Sequence, residues 1–254
     1  MRLQQILSLL ICLFASASAT AGVEFSADVV QTIPQQGDMH GKIFVGKDRM
    51  RTEFKVNDQT MIQIFDTGQG TVYMLNAQNR SYMQRKAGPG DMLPGSGNLQ
   101  ADKPCAGMPD ITCKKLGTEE VYGRSADKWE FENTTQAQSG KMLFWLDRER
   151  RIPVRQMLPD GSIIEMRLVG NEDINGRKAE KWEISMQRVG GQNRVSHQWF
   201  DPELDTNLRE EQPGGYAREL SNITIGAQPA ELFTVPAGYK EISIPQDNGQ
   251  GAGR

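Results

Sequence analysis

Charged side chains that occur twice at matching positions are the residues of this sequence best suited to acid–base chemistry. The two sets are 53 residues apart: Glu119, Arg124 and Lys128–Glu130, then Glu172, Arg177 and Lys181–Glu183. A general acid or base needs a pKa that burial has shifted. These side chains instead alternate with apolar residues, which predicts that they point to solvent and form stabilising charge pairs across a sheet. We therefore predict no catalytic residue and expect that the protein is not an enzyme.

Few residues of this sequence could bind a metal ion or the polar headgroup of a ligand. His40 and His197 are the only histidines, and we predict neither a metal site nor a cofactor. Methionine thioethers are ligands for Cu(I), but the sequence has no Met-x-Met run. Two interpretations of His197 stay open: it meets a ligand headgroup, or it has a hydrogen-bond partner within the sheet.

Large apolar side chains form the predicted binding site. If a sheet curves without closing, one of its faces lines a groove that can take an acyl chain or the apolar segment of a partner. The 12 methionines suit such a groove, because methionine adapts to varied apolar shapes. The same side chains would equally fill a core, and both interpretations stay open. The predicted ligand-binding residues are Met50, Phe54, Met74, Trp129, Phe131, Trp182, Met186 and Trp199.

One stretch of the sequence is written twice. Leu116–Phe131 reads LGTEEVYGRSADKWEF, and Val169–Ile184 reads VGNEDINGRKAEKWEI. The similarity continues at a spacing of 54 residues, where Trp145, Asp147 and Arg155 find counterparts: Trp199, Asp201 and Arg209. A register kept over this length predicts an internal duplication, here with units at 114–168 and 169–222.

Apolar and charged residues alternate with period two in both copies, as in the stretches ADKWEFE and AEKWEISM. This period is typical of half-buried strands, and the Asn175-Gly176 pair favours a tight hairpin. Each unit is therefore predicted to be an antiparallel meander, and a further meander of about six strands precedes them in 22–86. A single helical turn at Pro229–Phe233 completes the prediction. The fold class is all-β, with one or two short helices and a curved antiparallel sheet.

The two ends of the chain are predicted to lie outside the fold. Residues 1–21 combine Arg2, an apolar run and the small-residue site Ala19–Ala21, which is the pattern of a secretory signal peptide cleaved near Ala21. Without it the formal charge of −3 becomes −4, because only Arg2 is lost. This mild acidity argues against a nucleic-acid partner and against a basic membrane-docking helix. The tail at 244–254 is predicted to be disordered.

The middle of the chain holds a cysteine pair and a loop rich in glycine and proline. Cys105 and Cys113 predict a disulfide in an oxidising compartment. The loop at 87–104 is either a linker or a flap over a binding site. Residues 22–243 are predicted to form one domain, in which 87–113 connects the first meander to the repeated units. No segment of the mature chain is apolar enough to be a transmembrane helix.

Three stretches resemble a known family. GKIFVGKDRMRTEF, FDTGQGTVYMLNAQNRSYM and PAELFTVPAGY are similar to sequences of the LolA/LolB-like superfamily of bacterial envelope proteins, and more closely to an uncharacterised secreted branch. The resemblance covers about 24–243. It implies an incomplete, strongly curved antiparallel barrel with an apolar concave side covered by helices. Members of known role carry lipoprotein acyl chains across the periplasm. This chain departs from them in its duplication, in its disulfide loop and in having no clear amphipathic helix after the leader.

These observations lead to one expected function and one alternative. We expect a periplasmic or secreted binding protein that takes a hydrophobic ligand, a lipid or a lipoprotein acyl chain, on the concave apolar face. The alternative is an envelope protein–protein interaction or assembly module without a small-molecule ligand.

Overall fold

A computed structural model of the protein describes residues 22–56, 59–87, 102–105, 110–135 and 140–242. The predicted signal peptide, most of the predicted loop at 87–104 and the predicted tail at 244–254 lie outside these residues. Sixteen strands account for most of the described chain. They are β1 (Phe25–Ile33), β2 (Gly37–Val45), β3 (Arg49–Val56), β4 (Gln59–Asp66), β5 (Thr71–Asn76), β6 (Ser81–Lys86), β7 (Ile111–Val121), β8 (Arg124–Asn133), β9 (Lys141–Asp147), β10 (Pro153–Met157), β11 (Ile163–Ile174), β12 (Arg177–Gln187), β13 (Arg194–Asp201), β14 (Thr206–Gln212), β15 (Tyr216–Ile225) and β16 (Lys240–Glu241).

All sixteen strands belong to one sheet with the order β16-β6-β5-β4-β3-β2-β1-β15-β14-β13-β12-β11-β10-β9-β8-β7. Two meanders, β1–β6 and β7–β15, run antiparallel between sequence neighbours, and β1 joins them by pairing with β15. Only β16 is parallel to its neighbour, β6. The sheet is curved and does not close, which confirms the predicted all-β fold class. The edges of the sheet are β16 and β7.

Tight turns of the predicted type connect the two repeated hairpins. Tyr122 and Gly123 have φ values of 50° and 75°, and Asn175 and Gly176 have φ values of 54° and 82°. Positive φ at both central residues is the geometry whose twist matches that of the flanking strands. The β7–β8 and β11–β12 hairpins also carry a register shift at the same place, next to Gly117 and Gly170. The internal duplication itself stays a prediction.

A buried aspartate fixes the turn after β9, and another fixes the turn after β13. Asp147 accepts hydrogen bonds from the backbone N–H groups of Glu149 and Arg150 at 2.9 and 2.6 Å. Its carboxylate also accepts two bonds from the Arg124 guanidinium, at 2.5 and 3.1 Å. The side chain of Asp147 is only 2% exposed, so its charge depends on these partners.

The second turn repeats this arrangement. Asp201 accepts bonds from the N–H groups of Glu203 and Leu204 at 2.8 and 3.2 Å, and from Arg177 Nε at 2.5 Å. Each of the two aspartates therefore joins a turn to the first residue of a neighbouring hairpin strand. We call these two sites the Asp–Arg clamps.

The two faces of the sheet carry different layers. We call face A the side that includes Phe25, Val29 and Ile43, all fully buried. Face B is the opposite side, which includes Ile62 and Ile64. On face B, these isoleucines pack with Phe233 in one buried cluster.

The predicted helical turn is a 3-10 helix, Ala230–Phe233, with Pro229 at its N-cap. Phe233 is buried against face B and Leu232 is half-buried. Arg51 secures the helix by donating from Nη1 to the Leu232 carbonyl oxygen at 2.9 Å. Gly46 allows close approach here, because a Cβ at this position would lie 3.2 Å from the Phe233 ring. No helix within the described residues is long and apolar enough to cross a membrane.

The predicted disulfide is confirmed. Cys105 and Cys113 are bonded with their Cα atoms 6.0 Å apart. The bridge packs on face A against Phe131 and Ile111, and the Phe131 ring lies 4.5 Å from that of Phe144. The bridge thus ties the segment before β7 to the apolar layer of β8 and β9.

Replacing both bridged cysteines, Cys105→Ser with Cys113→Ser, should lower the free energy of unfolding by about 2–3 kcal/mol, because a short loop is no longer closed in the unfolded chain. Urea unfolding followed by tryptophan fluorescence measures this loss. As a control, wild-type protein treated with dithiothreitol should unfold at the midpoint of the double variant. An unchanged midpoint after complete reduction would contradict the structural role.

Candidate functional site

Seven of the eight predicted ligand-binding residues share face A. Residues that pair directly across two strands point to the same side of the sheet. In the first meander, Phe54 pairs with Gly41, which pairs with Val29. Gln31 lies two residues beyond Val29 on the same strand, and it leads to Trp182 through the successive partners Arg218, Glu210 and Gln198. Trp129 and Met186 are connected in the same way through Phe144, Gln156 and Ile164. The residues on face A are Met50, Phe54, Met74, Trp129, Phe131, Trp182 and Met186.

Trp199 points to the opposite side of its strand from the side that Trp182 takes, although it packs in the same buried cluster as Phe25 and Met50. Trp199 is the register partner of Lys181, and Lys181 is the chain neighbour of Trp182. Successive residues of a strand point to opposite sides, so Trp199 and Trp182 cannot share a face. The alternation within one strand predicts which of its residues share a side. Only the pairing between strands shows which residues of different strands lie on the same face of the sheet.

The seven residues on face A do not form one site. Met50 lies in the main core cluster with Phe25, and Trp182 is 1% exposed. Trp129 and Phe131 are covered by the disulfide segment. The side chains of these four residues are buried. Met186 is half-buried on β12 and lines none of the concavities described below.

Phe54 and Met74 come together in an open groove over β3–β6. The groove has a volume of about 340 Å³. We call it the methionine groove, because three thioether side chains line it beside the Phe54 ring: Met61, Met74 and Met83. Met61 is 40% exposed, whereas Met74 and Met83 are half-buried. Sequence reasoning missed Met61 and Met83, because only the pairing register of β4, β5 and β6 brings them beside Met74.

The polar groups of the methionine groove are neutral. Gln63, Asn76 and Ser81 contribute amide and hydroxyl groups, and none of the described residues that line the groove carries a charge. Asn76 Nδ2 donates to Gln59 Oε1 at 3.3 Å and to Met61 Sδ at 3.8 Å. An apolar ligand would therefore meet apolar walls with a few hydrogen-bonding groups, which is the usual composition of a small-molecule pocket.

Face B carries a tryptophan in each repeated unit, held between two cations. The Trp145 ring lies 4.8 Å from Lys128 Nζ and 5.6 Å from the Arg155 guanidinium carbon. Its Nε1 donates to Glu119 Oε2 at 2.6 Å, and Lys128 binds the other carboxylate oxygen at 2.9 Å. Every polar group of this arrangement has a partner.

The second unit has the same arrangement around the ring of Trp199. Lys181 Nζ lies 4.8 Å from the ring and the Arg209 guanidinium carbon 5.0 Å from it. Trp199 Nε1 donates to Glu172 Oε2 at 2.7 Å. Both tryptophan rings are buried, and the two sites stabilise the sheet by cation–π contacts and hydrogen bonds.

The repeated glutamates are poor candidates for general acids. Hydrogen bonds from Trp145 and Lys128 lower the pKa of Glu119, and hydrogen bonds from Lys181 and Trp199 lower the pKa of Glu172. A general acid at neutral pH needs a raised pKa, so both carboxylates are suited to structural ion pairing instead.

The remaining candidates give no metal or headgroup site in the described residues. His197 Nε2 lies 3.7 Å from Glu183 Oε2, and its ring is 6.0 Å from that of Trp199. The histidine thus has partners within the sheet. No group of three or more His, Cys, Asp or Glu side chains in the described part of the chain is arranged to hold a metal ion.

Comparisons with known proteins give one family and several similar folds. The model of an uncharacterised domain family, DUF4412, matches residues 27–150. No curated protein matches the sequence.

Among solved structures, a LolA superfamily protein from Nitrosomonas europaea is 11% identical, with a TM-score of 0.38 over 85% of this chain and 91% of that one. A domain from Vibrio parahaemolyticus, provisionally named an outer membrane lipoprotein-sorting protein, is 10% identical, with a TM-score of 0.36 over 84% and 90%. An uncharacterised conserved protein from Thermus thermophilus is 8% identical, with a TM-score of 0.33 over 88% and 91%. One of these structures belongs to the superfamily that the sequence resembles.

Proposed function

We propose that this protein binds a hydrophobic ligand without catalysing a reaction, and that the ligand is a lipid or a lipoprotein acyl chain held in the methionine groove. The observation that carries the proposal is the groove itself. It is open, it is lined by Phe54 and three methionines, and the described residues that line it are uncharged. The two predicted site residues that reach it, Phe54 and Met74, would be direct ligand contacts.

The size of the groove indicates what part of a ligand it would hold. Its volume of about 340 Å³ is at the lower end of the range for ligand pockets, roughly 300–1,000 Å³. It suits one acyl-chain segment better than a whole phospholipid. Each methylene that leaves water contributes about 0.8 kcal/mol, so a short segment is enough for reversible binding. Met61, which is 40% exposed, would lose solvent contact when the chain enters.

The proposed location is the periplasm. The disulfide between Cys105 and Cys113 supports an oxidising compartment, and the leader at 1–21 has the features of a secretory signal. A carrier of acyl chains in an aqueous compartment needs a sheltered apolar surface, and the methionine groove offers one.

An apolar fluorescent probe tests the proposal. We expect saturable probe binding to the purified protein, and Met61→Glu should weaken it by roughly tenfold, or about 1.4 kcal/mol, because a carboxylate would have to be desolvated in the groove. Val195→Glu is the matched control: Val195 is 44% exposed and faces away from the groove, so probe affinity should stay unchanged. Absence of saturable binding, or an equal loss in both variants, would contradict the proposal.

The second candidate function is an envelope interaction module, and the position of β7 at one edge of the described sheet favours it. Seven consecutive residues, 114–120, are exposed along this edge strand, and Leu116 is 45% exposed. An unpaired strand edge is a site for pairing with another chain. A photo-crosslinking residue at Leu116 should then capture a protein in cells, whereas the same residue at Met61 should capture lipid if the groove is the functional site.

A further inference from the structure

The methionine groove brings together three thioethers that are far apart in the sequence. Met74 on β5 and Met83 on β6 are direct register partners. Met61 on β4 is the partner of Asn76, two residues beyond Met74 on the same strand, so Met61 and Met74 are diagonal neighbours on face A. Direct partners have Cβ atoms about 4.5–5.5 Å apart, and diagonal neighbours are within reach of long side chains. Three adjacent strands thus place three sulfur atoms around one opening.

We propose that these three thioethers form a binding site for a soft monovalent metal ion, Cu(I). Thioether sulfur is a soft ligand and selects Cu(I) over the divalent ions that prefer nitrogen and oxygen. The three rotatable bonds of methionine allow its sulfur to converge on an ion without movement of the backbone. The site concerns the same groove as the proposed lipid binding, but it does not depend on that function.

The surroundings of the groove suit an exchangeable monovalent ion. Its described lining residues are neutral, so they offer a divalent cation no charge compensation. Met61 is 40% exposed, which leaves an entry path from solvent. Met61 Sδ accepts a weak hydrogen bond from Asn76 Nδ2, so its lone pairs are turned toward a polar group at the groove and not toward the core.

Thioethers also give the site a distinct pH dependence. A thiolate or imidazole ligand must lose a proton before it binds a metal, and such sites weaken in acid. Thioethers carry no proton at any relevant pH. Binding by Met61, Met74 and Met83 should therefore be unchanged between pH 7 and pH 5, a property that separates it from adventitious binding at His40 or His197.

The test uses Ag(I) as a redox-inert probe in isothermal titration calorimetry, and Cu(I) with a chromophoric chelator as competitor. The test variant is Met61→Leu with Met74→Leu and Met83→Leu. Leucine keeps volume and apolarity at a modest cost in stability. The matched control replaces three scattered methionines: Met142→Leu, Met157→Leu and Met186→Leu.

We expect one Ag(I) per wild-type molecule, and roughly 100-fold weaker binding in the test variant, since even the outer partners of metal ligands are worth about 10–100-fold in affinity. The control variant should bind as wild type does. Equal affinity of wild type and test variant, or an equal loss in the control, would overturn the metal site. Apolar-probe binding should persist in the test variant, so the metal site and the lipid function succeed or fail separately.

Discussion

Arg124→Met is expected to lower the free energy of unfolding by about 3–5 kcal/mol, because it leaves the buried carboxylate of Asp147 without its counter-charge. Asp147 is 2% exposed and Arg124 22%, and two hydrogen bonds join them. Methionine keeps much of the length of the arginine side chain. The measured loss of stability therefore comes mainly from the missing charge and less from lost packing. Chemical denaturation at pH 7 measures it.

A surface pair gives the matched control. Lys42 and Asp28 are 2.9 Å apart, but their side chains are 60% and 38% exposed. Lys42→Met removes the same charge, yet it should leave the stability almost unchanged, because water screens an exposed ion pair. Equal effects of Lys42→Met and Arg124→Met would contradict the buried Asp–Arg clamp.

Acid provides a second readout of the same clamp. Burial raises the pKa of Asp147, but the hydrogen bond from Arg124 and the backbone hydrogen bonds outweigh it, so the pKa lies below its ordinary value of 3.8. A carboxylate with a lowered folded-state pKa contributes stability that is complete above the unfolded value and is lost as pH falls through the folded value. In Arg124→Met, protonation instead relieves an unpaired charge. The difference between variant and wild type should therefore shrink below about pH 4.

Trp182→Ala should also cost about 3–5 kcal/mol, the range for deleting a buried aromatic side chain. Trp182 is 1% exposed, its ring lies 5.8 Å from the Arg124 guanidinium carbon, and its Nε1 donates to Glu180 at 3.2 Å. Thermal or urea unfolding measures the loss.

The same substitution decides whether Trp182 is a core residue or a ligand contact. The milder variant Trp182→Phe should keep the fold and the wild-type affinity for the apolar probe, because Trp182 lies away from the methionine groove. A large loss of probe affinity in Trp182→Phe with unchanged stability would move the ligand site to β12 and contradict the core assignment.

Local patterns were sufficient to predict most of the fold. Alternation and turn residues gave the meanders, and the Asn175-Gly176 pair gave a hairpin whose φ values are both positive. Proline is favoured at the start of a helix, so Pro229 located the helix that buries Phe233. Each of these features depends on a few neighbouring residues, so one sequence contains the necessary information.

The candidate site was harder to predict because it depends on the pairing between strands. Trp199 was grouped with Trp182 as a large apolar side chain of an alternating strand, but the β12–β13 register pairs it with Lys181, which points to the other face. The methionine groove likewise needs the registers of β4, β5 and β6. No motif within one strand marks Met61, Met74 and Met83 as neighbours.

The strand order has a consequence for the route by which the chain folds. Within each meander every strand pairs with its neighbour in sequence, so hairpins can assemble as soon as their residues are available. The pairing of β1 with β15 is different, because it joins the start of the first meander to the end of the second and requires a large loop to close. Contacts of such wide separation form slowly. Until β15 pairs with it, β1 exposes an unpaired strand edge, which is a template for self-association during folding.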